Sequence, residues 1–173
     1  MSLDDADDIL EDDIKEIEAI EEHYNKTKNI NDLLHMAQKC NNLADLYYEA
    51  MQRFNSRYYT YKIKASEYYE KIGRSAPTPE IRLNSKLLSI LLLIQASKLE
   101  TAEKKLNLLR RKQELNKNTE ISEDWLYIIE LLLIPSLKEA KKRLRYFKPE
   151  MDNSLYKFYQ KTIDIIKLWD KEK

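Results

Sequence analysis

Residues 87–94, Leu-Leu-Ser-Ile-Leu-Leu-Leu-Ile, are apolar almost all the way round a helix. A helix wet on one side carries an apolar stripe, not a sleeve, so a sleeve implies neighbours on every side. The run is eight residues long, whereas roughly 20 are needed to cross a bilayer. The stretch Pro79 to Leu115 therefore reads as one central helix, buried at its start. Thr78 suits the N-cap, Pro79 the first helical position and Glu80 the first turn. After Ala96 the pattern narrows to a stripe of Leu99, Ala102, Leu106, Leu109 and Leu115, with Lys104, Lys105, Arg110, Arg111 and Lys112 between.

Glycine decides what surrounds that helix. The chain has one glycine in 173 residues. Tight hairpins and parallel crossovers use glycine repeatedly, so the expectation is all-α: about six helices in a mostly antiparallel bundle. Gly73 is expected at the left-handed position that closes the third helix. The other helices follow from apolar spacing. The first runs from Asp4 to Tyr24 on a seam of Leu3, Leu10, Ile17 and Tyr24, with Ile14 and Ile20 beside it. The second starts after an N-cap at Asn29 or Asn31 and runs to about Phe54, its stripe including Leu33, Leu34, Ala37, Cys40, Ala44 and Tyr47. The third, Arg57 to Ile72, presents Tyr58, Tyr61, Ala65, Tyr68 and Ile72 on one face. The fifth is capped by Ser122 and kinked at Pro135, which removes one ladder bond and crowds the carbonyl of Leu131. Lys148-Pro149 ends it. The sixth starts at Asp152 or Asn153 and turns Leu155, Phe158, Tyr159, Thr162, Ile163, Ile166 and Trp169 inward.

A formal charge of zero hides a polarised chain. Residues 1–22 hold eleven Asp and Glu against Lys15 alone, a balance of −10, so the rest carries +10. Residues 1–28 thus read as an acidic helix and loop, and 29–173 as one helical-bundle domain. The acidic helix either docks by its seam, the favoured reading, or detaches to meet a basic partner. Lone Cys40 offers no disulfide framework, and the acidic N-terminus does not look like a signal peptide; both suggest an intracellular protein, cytoplasmic or nuclear.

Chemistry has little to build on. The chain has only His23, His35 and Cys40 as soft metal ligands, and a zinc site needs three or four converging. One glycine cannot make a phosphate loop. Asp4-Asp5-Ala6-Asp7-Asp8 lacks the glycine and distal glutamate of a calcium loop. No catalytic residue, cofactor or metal is therefore expected. Seven tyrosines between Tyr47 and Tyr69 are interleaved with Arg53, Arg57, Lys62 and Lys64. They read either as packing between helices two and three or as a concave aromatic surface. On the second reading Tyr47, Tyr48, Arg53, Arg57, Tyr59, Lys62 and Tyr69 contact a peptide partner, or stack on single-stranded nucleic acid. Two basic clusters remain, residues 104–112 and 138–148, the second holding Lys138, Lys141, Lys142, Arg143, Arg145 and Lys148. Each lies near a helix C-terminus, where cations are favoured anyway. An antiparallel pairing of helices four and five would hold them at opposite ends. Lys142-Arg143-Leu144-Arg145 also has the composition of a nuclear signal.

Tyr48-Glu49-Ala50-Met51 with Phe54 resembles the second helix of a tetratricopeptide-type repeat, and Ala65, Tyr69, Ile72 and Pro77 repeat the spacing of that helix and its closing proline. The resemblance implies helical hairpins and a protein-interaction scaffold. The small residue and tyrosine of a preceding first helix are missing, no 34-residue repeat recurs, and residues 80–173 do not match. The sequence thus leads to a non-enzymatic interaction module, an adaptor or small subunit with a protein partner. The alternative is a nucleic-acid-associated subunit using clusters 104–112 and 138–148.

Overall fold

Three of the six expected helices are each broken in two, and the breaks have local causes. The computed structural model describes residues 1–112, 120–134, 136–147 and 153–172. Among the described residues the chain is all-α, with nine helices rather than six: α1 (Leu3–Ile9), α2 (Glu11–Thr27), α3 (Ile30–Met51), α4 (Ser56–Ser75), α5 (Pro79–Gln95), α6 (Leu99–Arg111), α7 (Glu120–Leu133), α8 (Leu137–Phe147) and α9 (Asn153–Glu172).

Ser2 caps α1 in a reciprocal capping box with Asp5. The α1–α2 break is a kink at buried Leu10, whose N–H still reaches the Ala6 carbonyl at 3.0 Å while its own carbonyl serves Ile14 at 3.1 Å. The central helix ends at Gln95 because Ser97 turns left-handed, with φ 59°. Lys98 N–H then reaches the Leu93 carbonyl at 2.8 Å and Ser97 N–H the Ile94 carbonyl at 2.9 Å, the paired bonds of a Schellman ending. Between α7 and α8 the kink was expected at Pro135, which lies outside the described residues. The Leu131 carbonyl that the proline would crowd accepts instead from Ser136 N–H, at 2.8 Å. The turn expected at Asn116–Thr119, the end at Lys148-Pro149 and Asp152 also lie outside the described residues. Helix α7 begins at Glu120, ahead of the expected cap at Ser122. The caps expected at two other starts are present: Asn29 accepts from Asn31 N–H at 2.9 Å and Thr78 Oγ1 from Ile81 N–H at 3.3 Å.

The chain divides into two compact units, residues 1–92 and 93–173. The boundary expected at residue 28 falls inside the first. There, acidic α1 and α2 lie against α3, and His23–Asp32 and Lys39–Glu16 pairs mark α2 and α3 as antiparallel. Tyr47–Tyr61 and Tyr48–Tyr58 ring contacts do the same for α3 and α4. Between α4 and α5, Ser66 and Ser89 exchange bonds: each hydroxyl donates to the other's carbonyl at 2.9 Å, in the buried interior. Leu87 and every residue from Ser89 to Ala96 are buried; Leu88 is half-buried. The apolar sleeve is therefore covered, although the helix carrying it is shorter than expected.

Gly73 does not close a helix. It lies within α4 and has no positive φ. A Cβ there would come within 2.8 Å of Lys86 Cγ and 3.3 Å of the Arg82 carbonyl, so the residue is the point of close approach to α5. The left-handed positions are filled by Lys28, Gln52 and Ser97.

In the second unit the rings of Trp125 and Tyr159 pack tilted at 38° with centroids 4.5 Å apart, and the Tyr159 hydroxyl donates to the Trp125 carbonyl at 3.3 Å. Gln95 donates to Thr162 Oγ1 at 2.9 Å, which joins the end of α5 to α9 inside this unit. Among the described residues no helix is long and apolar enough to cross a membrane.

Candidate functional site

The tyrosine-rich surface expected on helices two and three is largely closed. Tyr47, Lys62 and Tyr69, three of the seven proposed contact residues, are buried, as is Tyr58. A partner cannot reach them without parting α3 from α4. Tyr48 and Tyr59 are half-buried in a ring cluster, Tyr48 on Phe54 at 4.7 Å and Tyr59 on Tyr58 at 5.2 Å. Burial pushes the Tyr69 hydroxyl up to about 12 and raises that of Tyr58 further, as expected of hydroxyls in a packed seam. Of the seven, Arg53 and Arg57 are exposed.

Arg57 is already engaged. Its Nε and Nη2 reach Asp7 of α1 at 3.1 and 2.7 Å, and the Tyr47 hydroxyl donates to the same carboxylate at 2.5 Å. The fork geometry gives the pair direction as well as charge. This latch holds α1 across the α3–α4 pair, the docked reading of the acidic helix. Arg57 first, then Tyr47, holds the Asp7 carboxyl below its ordinary value. A depressed folded value means that the stabilisation is present above the unfolded carboxylate value, about 3.9, and fades as pH falls through the lower folded one. Asp7→Asn should therefore lower the thermal midpoint at pH 6 and lose less than the wild-type protein between about pH 4 and pH 2, followed by circular dichroism. Parallel acid profiles for the two proteins would show the latch to be unimportant.

An open, charged and aromatic surface lies instead on the α7–α8 hairpin. The second basic cluster falls on α8, whose Ala140, Leu144 and Phe147 are buried, so the opposite face carries Lys138, Lys142, Arg145 and Tyr146 outward. A concavity of about 780 Å³ is lined by these residues together with Tyr127, Glu139, Lys141 and Arg143. Arg143 anchors it. Its guanidinium pairs with Asp124 of α7 and lies over three rings, Phe147 at 5.0 Å, Tyr146 at 5.5 Å and Tyr127 at 5.8 Å. Its Nε is buried without a hydrogen-bond partner among the described residues, as befits a guanidinium held by ring faces. Lys138, Lys141, Lys142 and Arg145 make no ion pair among the described residues. Tyr146 is 73% exposed and Tyr127 46%.

The first basic cluster lies nearer to this hairpin than expected. Once the chain turns at Ser97, α6 takes its own direction, and Arg110 meets Glu130 of α7 at 2.6 Å. Glu130 is three residues from Tyr127, hence on the same side of α7. Arg110 of the first cluster and Arg143 of the second thus pair with the same helix, at Glu130 and Asp124 of α7. The two tyrosines were not singled out in the sequence. The signal lay in their register: Tyr127 and Arg143 stand equally far on either side of Pro135 in the sequence, and the pairing of α7 with α8 brings them together.

Among the described residues no three His, Cys, Asp or Glu side chains group to hold a metal ion. No family model, curated protein or solved structure matches the chain. The tetratricopeptide-like arrangement thus finds no counterpart, and the fold defines a class alone: an all-α chain of two compact units.

Proposed function

We propose that the chain is a non-enzymatic helical interaction module, an adaptor or small subunit of a larger assembly, and that its partner is anionic. The observation that carries this reading is the α8 surface: four cations without ion-pair partners among the described residues and two exposed tyrosines around one concavity. Glu139 is the one opposite charge among the lining residues; like charges in excess on one helix repel one another, and a bound anion relieves that repulsion. The tyrosines of α3 and α4 serve the packing of the first unit in this reading. An intracellular setting, cytoplasmic or nuclear, belongs to it as well, since buried free Cys40 suits a reducing compartment.

Immobilised heparin is a suitable polyanion probe. The wild-type protein should be retained at about 50 mM salt and released as salt rises. Lys141→Glu with Lys142→Glu should elute well ahead of it. Co-elution of the two proteins, or passage of the wild-type protein without retention, would remove α8 as the binding surface.

A further inference from the structure

We infer that the anion recognised by the α7–α8 hairpin is single-stranded nucleic acid; the inference rests on the anionic-partner reading above and narrows it. Two observations separate this ligand from an acidic protein segment. The first is composition. Three of the four cations without ion-pair partners are lysines, Lys138, Lys141 and Lys142, and lysine is depleted at protein–protein interfaces while arginine and tyrosine are enriched. A lysine is a point charge on a flexible stem, suited to a phosphate that need not present a fixed fork. The second is the placing of the rings. Tyr127 and Tyr146 are exposed on the two arms of the hairpin, and each ring already has Arg143 within 5.8 Å of its centroid. Bases stack on such rings, and an adjacent guanidinium strengthens the platform. A positively charged groove that tracks a backbone, with aromatic faces for successive bases, is the recurring design for sequence-tolerant single-strand binding.

The hairpin also has the scale. Helix α8 has 11 residues, a length of about 16 Å at 1.5 Å per residue, and so faces a few nucleotides and not a long duplex. Nothing in this arrangement reads a base edge, so affinity should depend on length and salt before sequence.

The test is fluorescence anisotropy with a labelled oligothymidylate of about twelve nucleotides, a duplex of equal length, and polyglutamate of matched charge as competitor. The oligothymidylate should bind with a log–log salt slope no steeper than about −3, four cations at about 0.7 each. Tyr146→Ala should weaken it about tenfold, the scale of one lost stacking contact, while Tyr146→Phe, which keeps the ring, should leave it unchanged. Tyr146 is so exposed that neither change threatens the fold, and emission from Trp125 and Trp169, both in the second unit, verifies this. Polyglutamate should compete poorly and the duplex should bind more weakly. Equal binding of polyglutamate, or indifference to Tyr146→Ala, overturns the nucleic-acid inference and leaves the anionic-partner reading standing. A duplex bound as tightly as the single strand overturns the stacking geometry. Binding of neither oligonucleotide nor heparin removes both readings.

Discussion

Replacing Asp45 by alanine is expected to destabilise the first unit by about 3–5 kcal/mol, the cost of leaving a buried charge without its counter-ion. The charge is Lys62, on α4 and fully buried. Its Nζ lies 3.0 Å from Asp45 Oδ1 and donates to Asn41 Oδ1 at 2.6 Å, both on α3, and stands over the Tyr58 ring at 5.4 Å. The two partners are unequal: the Asp45 side chain retains 23% of its exposure while that of Lys62 retains none. Without Lys62 the partly exposed Asp45 carboxylate can still turn to water, whereas Lys62 without Asp45 cannot reach water unless the α3–α4 seam opens. It follows that Lys62→Met, which keeps the long apolar stem and removes the charge, should cost under about 1.5 kcal/mol. The double variant should recover most of the loss caused by Asp45→Ala, because it leaves no buried ammonium to compensate. Urea unfolding followed by far-ultraviolet circular dichroism measures all three. Should Lys62→Met prove as damaging as Asp45→Ala, the ring and stem contacts of Lys62 would matter more than its charge.

That buried lysine also explains where the sequence misled. Helix α4 was legible as a helix, but its inward face was assigned to Tyr58, Tyr61, Ala65, Tyr68 and Ile72, whereas the buried set is Tyr58, Lys62, Ala65, Ser66, Tyr69, Ile72 and Gly73. Lys62 and Ser66 occupy interior positions that an apolar pattern gives to solvent, so the assigned stripe was right at Tyr58, Ala65 and Ile72 and one residue off at the other two, Tyr61 for Lys62 and Tyr68 for Tyr69. Their partners, Asp45 and Ser89, are distant in sequence and adjacent only after α3, α4 and α5 have assembled. In α3, Met36 and Leu43 are buried while the expected Leu34 is 41% exposed. Helix starts were legible because side-chain caps are local: Asn29 and Thr78 announce themselves. Helix ends were not. A left-handed ending was sought at glycine, and the chain places Lys28, Gln52 and Ser97 there instead, which is why the central helix was drawn on to Leu115 although α5 ends at Gln95. At the candidate site the basic residues of α8 were visible as a cluster, but the rings that make it a platform meet Arg143 only once α7 and α8 pair.

The same inversion of glycine's usual place gives the second large effect. Gly73→Ala is expected to destabilise the first unit although alanine favours a helix by about 1 kcal/mol over glycine. The added methyl would meet Lys86 Cγ at 2.8 Å, close to the root of that side chain and not at its free end, and the Arg82 carbonyl at 3.3 Å. Neither can retreat unless α5 shifts as a body, and α5 is pinned to α4 by the Ser66–Ser89 exchange. Overpacking of this kind costs about 1–3 kcal/mol, which exceeds the helix gain, so a net loss of roughly 1 kcal/mol is expected for alanine. Valine, with two more carbons in the same space and no helix advantage comparable to alanine's, should lose on the order of 3 kcal/mol or more. Ser97→Gly should move the other way. Ser97 holds φ 59°, a conformation that costs an L-residue roughly 1–2 kcal/mol and glycine almost nothing, partly offset by glycine's larger entropy when unfolded. Adding a glycine at the end of α5 should thus stabilise the protein by up to about 1 kcal/mol, while removing the one in α4 destabilises it. Urea midpoints for the three variants decide the matter. A more stable Gly73→Ala protein would mean that α4 and α5 do not approach as closely as the exchanged serine bonds require.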